Sequence, residues 1–483
     1  MVNFSVVVSV NSQNIIGIGD ELFIHCRDDL RRFYQITTDF YVENEMNICI
    51  MGYNTWISIP ENVKPLKKRI NIVLTRDHVI AEDDTLMAFI SLEDALRWSS
   101  INCKGKIFVI GGESIFRQCI SYQKDIESIY CTKFKYDYKE LYKDNNKDIK
   151  YFPIKLFTDQ KLIYRGHSND SMCTVEGNKE EKIIHNLYIY QKEELRNKDE
   201  LAYLYLLRKI MDEGGEVMTR NSKVRSLFGK KLEFDLSEGF PLLTTKKMGS
   251  KTILRELLWF IRGSTANQEL NEKKVHIWDQ NASREFLDSR GLSYEEGDLG
   301  PVYGFQWRHF GAEYIDSKTD YKDQGIDQLK NIIDLLKTDP TSRRIIMNAW
   351  NAKDIDKMAL PPCHVMCQFN VNQEKGTLNC QMYQRSGDMF LGVPYNIASY
   401  AYLTYILAHI VGLSPGKLIL VLGDAHIYES HLGVVEEQLR RIPGIFPRLK
   451  ISDELQDIDT IHEEYFEIIG YKSMPKLSAP MIA

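Results

Sequence analysis

The stretch from His364 to Arg385 constrains the fold more tightly than any other part of the chain. Val365, Cys367, Phe369 and Val371 alternate with polar or larger side chains, and Leu378 to Arg385 alternates again. Asn372-Gln373-Glu374-Lys375-Gly376-Thr377 between them has the composition of a turn. A period of two on both sides of a short polar turn predicts a β-hairpin. Folding it about that turn sets Cys363, just before the first strand, opposite Arg385-Ser386 at the end of the second. A guanidinium beside a thiol lowers the thiol pKa and favours the nucleophilic thiolate, so the pair reads as a nucleophile facing an anion site. Cys367 and Cys380, mid-strand among apolar residues, read as core.

The chain has 483 residues and a mass of 56.2 kDa, too long for one ordinary domain. It is 43% hydrophobic and 27% charged, with a net charge of −6 and no repeat or low-complexity tract. A slightly acidic chain of this kind is not expected to bind nucleic acid. Nine cysteines, an odd number with no CxxC pair, predict free thiols in a reducing compartment. No metal site is expected. Val6-Val7-Val8 reads as a buried strand rather than part of a signal peptide. The longest apolar stretch, Ala401 to Leu413, is too short to span a bilayer and carries His409, which predicts a buried helix. The expected location is cytoplasmic, with no membrane association.

In the N-terminal part, strand-like runs at Phe4 to Val10, Met46 to Met51, Asn71 to Leu74, Lys106 to Ile110 and Leu187 to Tyr190 alternate with helical patterns. The helices are expected at Asp28 to Thr37, Ser91 to Trp98 and Ser114 to Ser121. This ordering predicts an α/β domain. The charged run from Gln191 to Glu200 has the composition of a connector, and a helix is expected from Leu201. The expected domains are therefore 1–192 and 201–483, with a linker at 193–200. The polar run Lys143 to Asp148 reads as a solvated loop. Strand Lys106 to Ile110 leads through Gly111-Gly112 to a helix beginning near Glu113, an arrangement that offers backbone N–H groups to phosphate, although a glycine pair there also suits a plain tight turn.

Six segments beyond the hairpin carry a resemblance. They are Glu256-Leu257-Leu258-Trp259-Phe260, Ile277-Trp278-Asp279, Gly297 to Gly304, Ser342-Arg343-Arg344-Ile345-Ile346, Asn396 to Tyr400 and Gly423 to Tyr428. In their order and approximate spacing they resemble thymidylate synthase, over about Glu200 to Ala483, and collinear segments are far more specific than one motif. The resemblance implies an α+β domain in which Cys363 adds to C6 of dUMP. It assigns the phosphate to Arg220, Arg385, Ser386, Arg343 and Arg344, the last two reaching from a partner subunit. Gln384, Asp388 and Asn396 belong to the implied nucleotide set, with Asn396 reading the uracil edge and His426 and Tyr428 binding the ribose. Glu256, in the apolar helix Thr252 to Ile261, is the implied proton relay with His364 and Tyr303, because burial should raise its pKa. Were Glu256 to face water, a salt bridge to Arg255 or Arg262 would be its role instead. Trp278, Asp388, Leu391, Gly392 and Tyr395 match the folate-binding set. The loop Asn221-Ser222-Lys223-Val224-Arg225 is one residue shorter than the family's.

Residues Val2 to Lys192 resemble dihydrofolate reductase, through Ser12 to Gly17, Met51 to Pro60, Lys64 to Arg76 and Gly111-Gly112. That resemblance implies a central sheet with flanking helices, dihydrofolate as substrate and NADPH as cofactor. It makes Asp29 the acid that polarises the pterin, with Phe33 one helical turn on as an aromatic wall and Asp28 turned to solvent. Thr132 is implied to hydrogen-bond Asp29, Arg69 to hold the folate glutamate, and Val7, Ile59, Leu66 and Ile110 to complete that pocket. Ile16, Gly17, Gly52, Asn54, Thr55, Thr75, Arg76, Gly111, Gly112 and Ser114 match the cofactor set, with Thr75 and Arg76 at the 2′-phosphate. Three positions depart from the family: Leu22-Phe23-Ile24 stands where Leu-Pro-Trp is usual, Tyr53 where an arginine is, and Phe116 where a tyrosine is. Losing that arginine removes a charge near the cofactor phosphates, so weaker cofactor binding is expected. The two resemblances together imply a single-chain enzyme of the protozoan and plant kind, homodimeric through its synthase part, with 5,10-methylenetetrahydrofolate as co-substrate. The alternative is an active synthase fused to a non-catalytic folate-binding or structural module.

Overall fold

The charge-rich stretch near residue 195 is where the chain divides, into the units Met1–Arg196 and Asn197–Ala483. The computed structural model describes residues 2–19, 21–38, 46–80, 83–102, 105–138, 148–165, 169–175, 179–192, 197–219 and 222–482. Residues 193–196 of the expected linker lie outside the described residues, as do 143–147 of the expected loop. The helix that opens the second unit is Lys198–Glu213, so 198–200 are not linker. It starts ahead of Leu201 because Asn197 caps it, accepting from the Glu200 N–H at 3.0 Å. Glu200 itself is buried, its carboxylate accepting from the N–H and hydroxyl groups of both Thr244 and Thr245.

In the first unit all five expected strands form. Phe4–Val10 lies between Ile107–Gly111 and Ile126–Phe134, parallel to both, and Asn47–Gly52 and Arg69–Leu74 extend the sheet on the Ile107–Gly111 side. Lys179–Gln191 pairs antiparallel with Ile126–Phe134 on the other side. Ile126–Phe134 is a central strand that hydrophobic periodicity does not reveal. Ser128 and Thr132 are buried along with its apolar residues, and a strand covered on both faces shows no alternation. The helices Arg27–Thr38, Leu92–Asn102 and Glu113–Cys119 stand where expected, within a few residues.

In the second unit the expected hairpin is His364–Asn372 with Thr377–Asp388, His364 opposite Gln384 and Asn372 opposite Thr377. It belongs to a six-stranded sheet in which Ser414–Tyr428 runs parallel to Thr377–Asp388 and antiparallel to Lys223–Asp235. Leu378, Cys380, Met382, Leu418, Leu420 and Leu422 pack in one core with the helix Gly392–Ile410, the apolar segment expected to be a buried helix. Among the described residues no helix is long and apolar enough to cross a membrane. On the opposite sheet face Ile346, Met366, Tyr383, Ile419 and Val421 all remain at least partly exposed.

Candidate functional sites

The first unit contains a cleft of about 1180 Å³. Its wall includes Val7, Asp29, Phe33, Ile59, Leu66, Arg69, Ile110 and Thr132 together with Ile16, Gly17, Gly52, Asn54, Thr55, Thr75, Arg76, Gly111, Gly112 and Ser114. The residues expected to bind folate and those expected to bind the cofactor thus line one space. Asp29 and Phe33 share a face of Arg27–Thr38, as their spacing requires. Asp28 faces away but is more than solvated: the Ser171 hydroxyl donates to it at 2.6 Å and holds its carboxyl below the usual range. Arg69 is buried, donating to Thr37 Oγ1 at 2.7 Å and to the Lys67 carbonyl at 3.0 Å, with the rings of Phe33 and Tyr34 alongside.

The expected bond from Thr132 to Asp29 is replaced. Asp29 accepts from the Ser9 hydroxyl at 2.6 Å, and Thr132 accepts from Arg32 Nη1 at 3.2 Å. Arg32 sits at i+3 from Asp29, with Nη1 3.8 Å from its carboxylate, and so comes between the two. Neither Ser9 nor Arg32 was in the predicted set. The available signals were the strand period that puts Ser9 beside Val7 and the helical spacing of Arg32.

At the other end of the cleft the glycines allow close approach. A Cβ on Gly112 would lie 3.1 Å from Thr55 Oγ1, and Gly111 has a φ of +135°, a conformation that suits glycine. The close glycine backbone and the Arg76 charge fit a phosphate-bearing cofactor. Tyr53, where the family has arginine, stacks on His78 with centroids 3.8 Å apart. Phe23, Ile24 and Phe116 are buried.

In the second unit the hairpin brings Cys363 and Arg385 together through two chain contacts. The Arg385 N–H donates to the Cys363 carbonyl at 2.8 Å, and the guanidinium donates to the carbonyls of Pro361 and Pro362 at 3.0 and 2.9 Å. Nη2 then lies 4.0 Å from Cys363 Sγ. The expected lowering of the thiol pKa is not the net result. Burial pushes it up, and Arg385 offsets only part. The Tyr303 hydroxyl accepts the Cys363 N–H at 2.7 Å, and the Tyr303 ring stacks on His364 at 4.0 Å. His364 is buried against the Tyr400 hydroxyl at 2.9 Å, and burial pushes its pKa down to about 3, so the imidazole is neutral.

Glu256 is buried in Ser250–Ile261, and its carboxyl is raised from an ordinary 4.5 to about 7. Burial is the cause, and the Trp278 indole N–H, donating at 2.8 Å, moderates it. The salt-bridge alternative is excluded, because Arg255 pairs with Glu463 and Arg262 with Glu269.

Gln384 Nε2 donates to Asn396 Oδ1 and to the Ser386 carbonyl, both at 3.0 Å. Asp388 accepts from the N–H groups of Phe390 and Leu391 at the start of the helix bearing Gly392 and Tyr395. Burial works to raise the Asp388 pKa, but His431 and those N–H groups hold it below the ordinary value. His426 is bonded to Asp424 at 2.9 Å, with the Tyr428 ring edge-on to it. Arg343 and Arg344 are exposed beside Ile346–Asn348, whose Ile346 pairs with Gln368. Gln368 is five residues along the strand from Cys363, roughly 16 Å at strand rise. One chain therefore does not bring these two arginines to the thiol. Arg220 lies outside the described residues.

Residues 201–483 match the family profile described as Thymidylate synthase, and residues 3–142 the one described as Dihydrofolate reductase. The chain is 41% identical to the bifunctional dihydrofolate reductase-thymidylate synthase of Zea mays over 99% of its length and 96% of that relative. It is 40% identical to the protein of the same name from Paramecium tetraurelia, covering 99% of this chain and 98% of the relative. With that of Plasmodium chabaudi it shares 40% identity, over 92% of this chain and 84% of the relative.

Proposed function

The chain belongs to the bifunctional dihydrofolate reductase-thymidylate synthase family, and on that premise we propose that it makes dTMP from dUMP and regenerates the folate it consumes. The observation that carries the reading is the presence of two separate constellations, Cys363 with Arg385, Glu256 and His364 in one unit and Asp29 with Arg69 and Arg76 in the other. The match across both parts leaves the alternative of a non-catalytic N-terminal module without support.

At the synthase site Cys363 Sγ adds to C6 of dUMP, and Arg385 stabilises the thiolate as it forms. Arg385 and Ser386 take the phosphate. Gln384 occupies the Asn396 carbonyl oxygen, which supports an orientation with the Asn396 NH2 turned to the uracil O4. Tyr303 already accepts the Cys363 N–H, so its own proton is free for the substrate. A carboxyl that titrates near 7 can take and return protons at neutral pH, which suits Glu256 to the relay, with neutral His364 as an orienting group. Methylenetetrahydrofolate gives its carbon and a hydride and leaves as dihydrofolate, over Trp278, Leu391, Gly392 and Tyr395.

In the reductase cleft Asp29 accepts the pterin amidine N–H pair, Phe33 packs on the ring and Arg69 holds the glutamate carboxylate. NADPH, when bound, supplies the hydride. Gly111-Gly112 lets its phosphates approach the backbone, and Thr75 and Arg76 take the 2′-phosphate. The exposed apolar sheet face supports a homodimer through the synthase units, with the exposed Arg343-Arg344 pair reaching the partner's phosphate. The described cysteines are all free, which accords with a reducing, cytoplasmic setting. The test is a pair of substitutions in the full chain. Cys363→Ser should abolish dTMP formation and spare dihydrofolate reduction, and Asp29→Asn should do the reverse; loss of both activities from either folded variant would sink the two-site reading.

A further inference from the structure

Arg32 is a cation inside the reductase cleft that no role has yet claimed. Its side chain is 11% exposed and that of Asp29 16%. Nη1 is 3.8 Å from the Asp29 carboxylate and 3.2 Å from Thr132 Oγ1, and both residues line the cleft. Ser9, from the neighbouring strand, donates to the other carboxylate oxygen at 2.6 Å. Arg32 also lies close enough to Asp28 and His185 to influence their charge, although those two are tied to Ser171 instead. The acid therefore has a cation beside one oxygen and the Ser9 hydroxyl donating to the other. A carboxylate offers about four lone-pair positions, so with one taken by Ser9 there is room for an incoming N–H pair.

The sign of Arg32 matters more for some ligands than for others. A neutral pterin brings two N–H dipoles to Asp29 and no net charge. A 2,4-diaminopteridine is a stronger base that docks on a carboxylate as a cation, and here its positive ring would stand within a few ångströms of Arg32. We propose that Arg32 is a specificity-determining residue, a resident cation that makes the pterin end of the cleft favour neutral pterins over ligands that bind protonated. Charges at this range shift a protonation equilibrium by about one to three pKa units, a factor of ten or more. The partly open cleft sets the expectation at the lower end.

The inference rests on the folate reading of the cleft, and the experiment separates the two. Binding of dihydrofolate and of 2,4-diamino-6,7-dimethylpteridine to the full chain is measured by fluorescence titration for the wild type, Arg32→Met, Arg32→Gln and Arg32→Lys. Both neutral variants should bind the diaminopteridine at least tenfold more tightly relative to dihydrofolate, and the lysine variant should return towards the wild-type ratio. Glutamine keeps a donor for Thr132, so a merely structural role for Arg32 would leave its ratio at the wild-type value. An unchanged ratio in the neutral variants, or a lysine variant that behaves like them, overturns the proposal while leaving the folate reading intact. A wild-type chain that binds neither compound overturns the folate reading as well.

Discussion

Glu256→Gln should make the synthase unit more stable in alkali while disabling it. The carboxyl is buried and releases its proton at about 7 instead of 4.5. Below pH 4.5 it is protonated in both the folded and unfolded chain and costs nothing. Between 4.5 and 7 the unfolded chain ionises first, so its stability contribution is lost as pH rises, and above 7 the folded state carries the whole cost of a buried charge. At about 1.36 kcal/mol per pKa unit, that cost comes to about 3 kcal/mol. Glutamine keeps an acceptor for the Trp278 indole and has no proton to lose.

Urea unfolding followed by tryptophan fluorescence reads this out, since four of the six tryptophans, Trp259, Trp278, Trp307 and Trp350, lie in the second unit. The stability of the variant relative to the wild type should rise by about 3 kcal/mol between pH 4.5 and 8.5, with most of the change centred between pH 5 and 7. Over the same range dTMP formation by the variant should stay low and dihydrofolate reduction should be untouched. A stability difference that is flat with pH would show that the carboxyl does not titrate where its burial requires, and the proton relay assigned to it would fall with it.

Arg76→Ala should raise KM for NADPH far more than for NADH, by the worth of a charge-assisted hydrogen bond, about 1.5 to 3 kcal/mol; equal losses for the two cofactors would remove Arg76 from the 2′-phosphate. Glu200→Ala leaves the N–H groups of Thr244 and Thr245 buried without their acceptor and should cost at least about 3 kcal/mol in urea unfolding. Mixing Cys363→Ser chains with Arg343→Ala/Arg344→Ala chains should restore roughly a quarter of the wild-type dTMP-forming sites, because about half the dimers are mixed and each has one intact site of two. Recovery of nothing after confirmed subunit exchange would show that a partner's arginines do not complete the site.

Much of this was legible because it rests on periodicity and on spacing along the chain. The hairpin at His364 could be read because its strands alternate, and the Cys363–Arg385 juxtaposition followed from folding it about its turn. Asp29 and Phe33 fell on one face for the same kind of reason. Ile126–Phe134 was missed because a strand covered on both faces has no alternation to detect. The Lys198 helix start was missed because a capping asparagine and two acids look like linker composition until the burial of Glu200 is known. The thiol of Cys363 exposes a harder limit. A sequence shows which charge can reach a group but not how much water the fold removes from it, and here desolvation outweighs the guanidinium. Asp29 and Thr132 differ again. Both positions that the resemblance picked out line the cleft, yet each has another partner, because Ser9 and Arg32 supply a hydroxyl and a cation beside them. A shared motif transfers the place of a residue in the fold, whereas its hydrogen bonds depend on neighbours the motif does not contain. Differences in ligand preference between relatives with the same acid should therefore be sought first in residues such as Arg32.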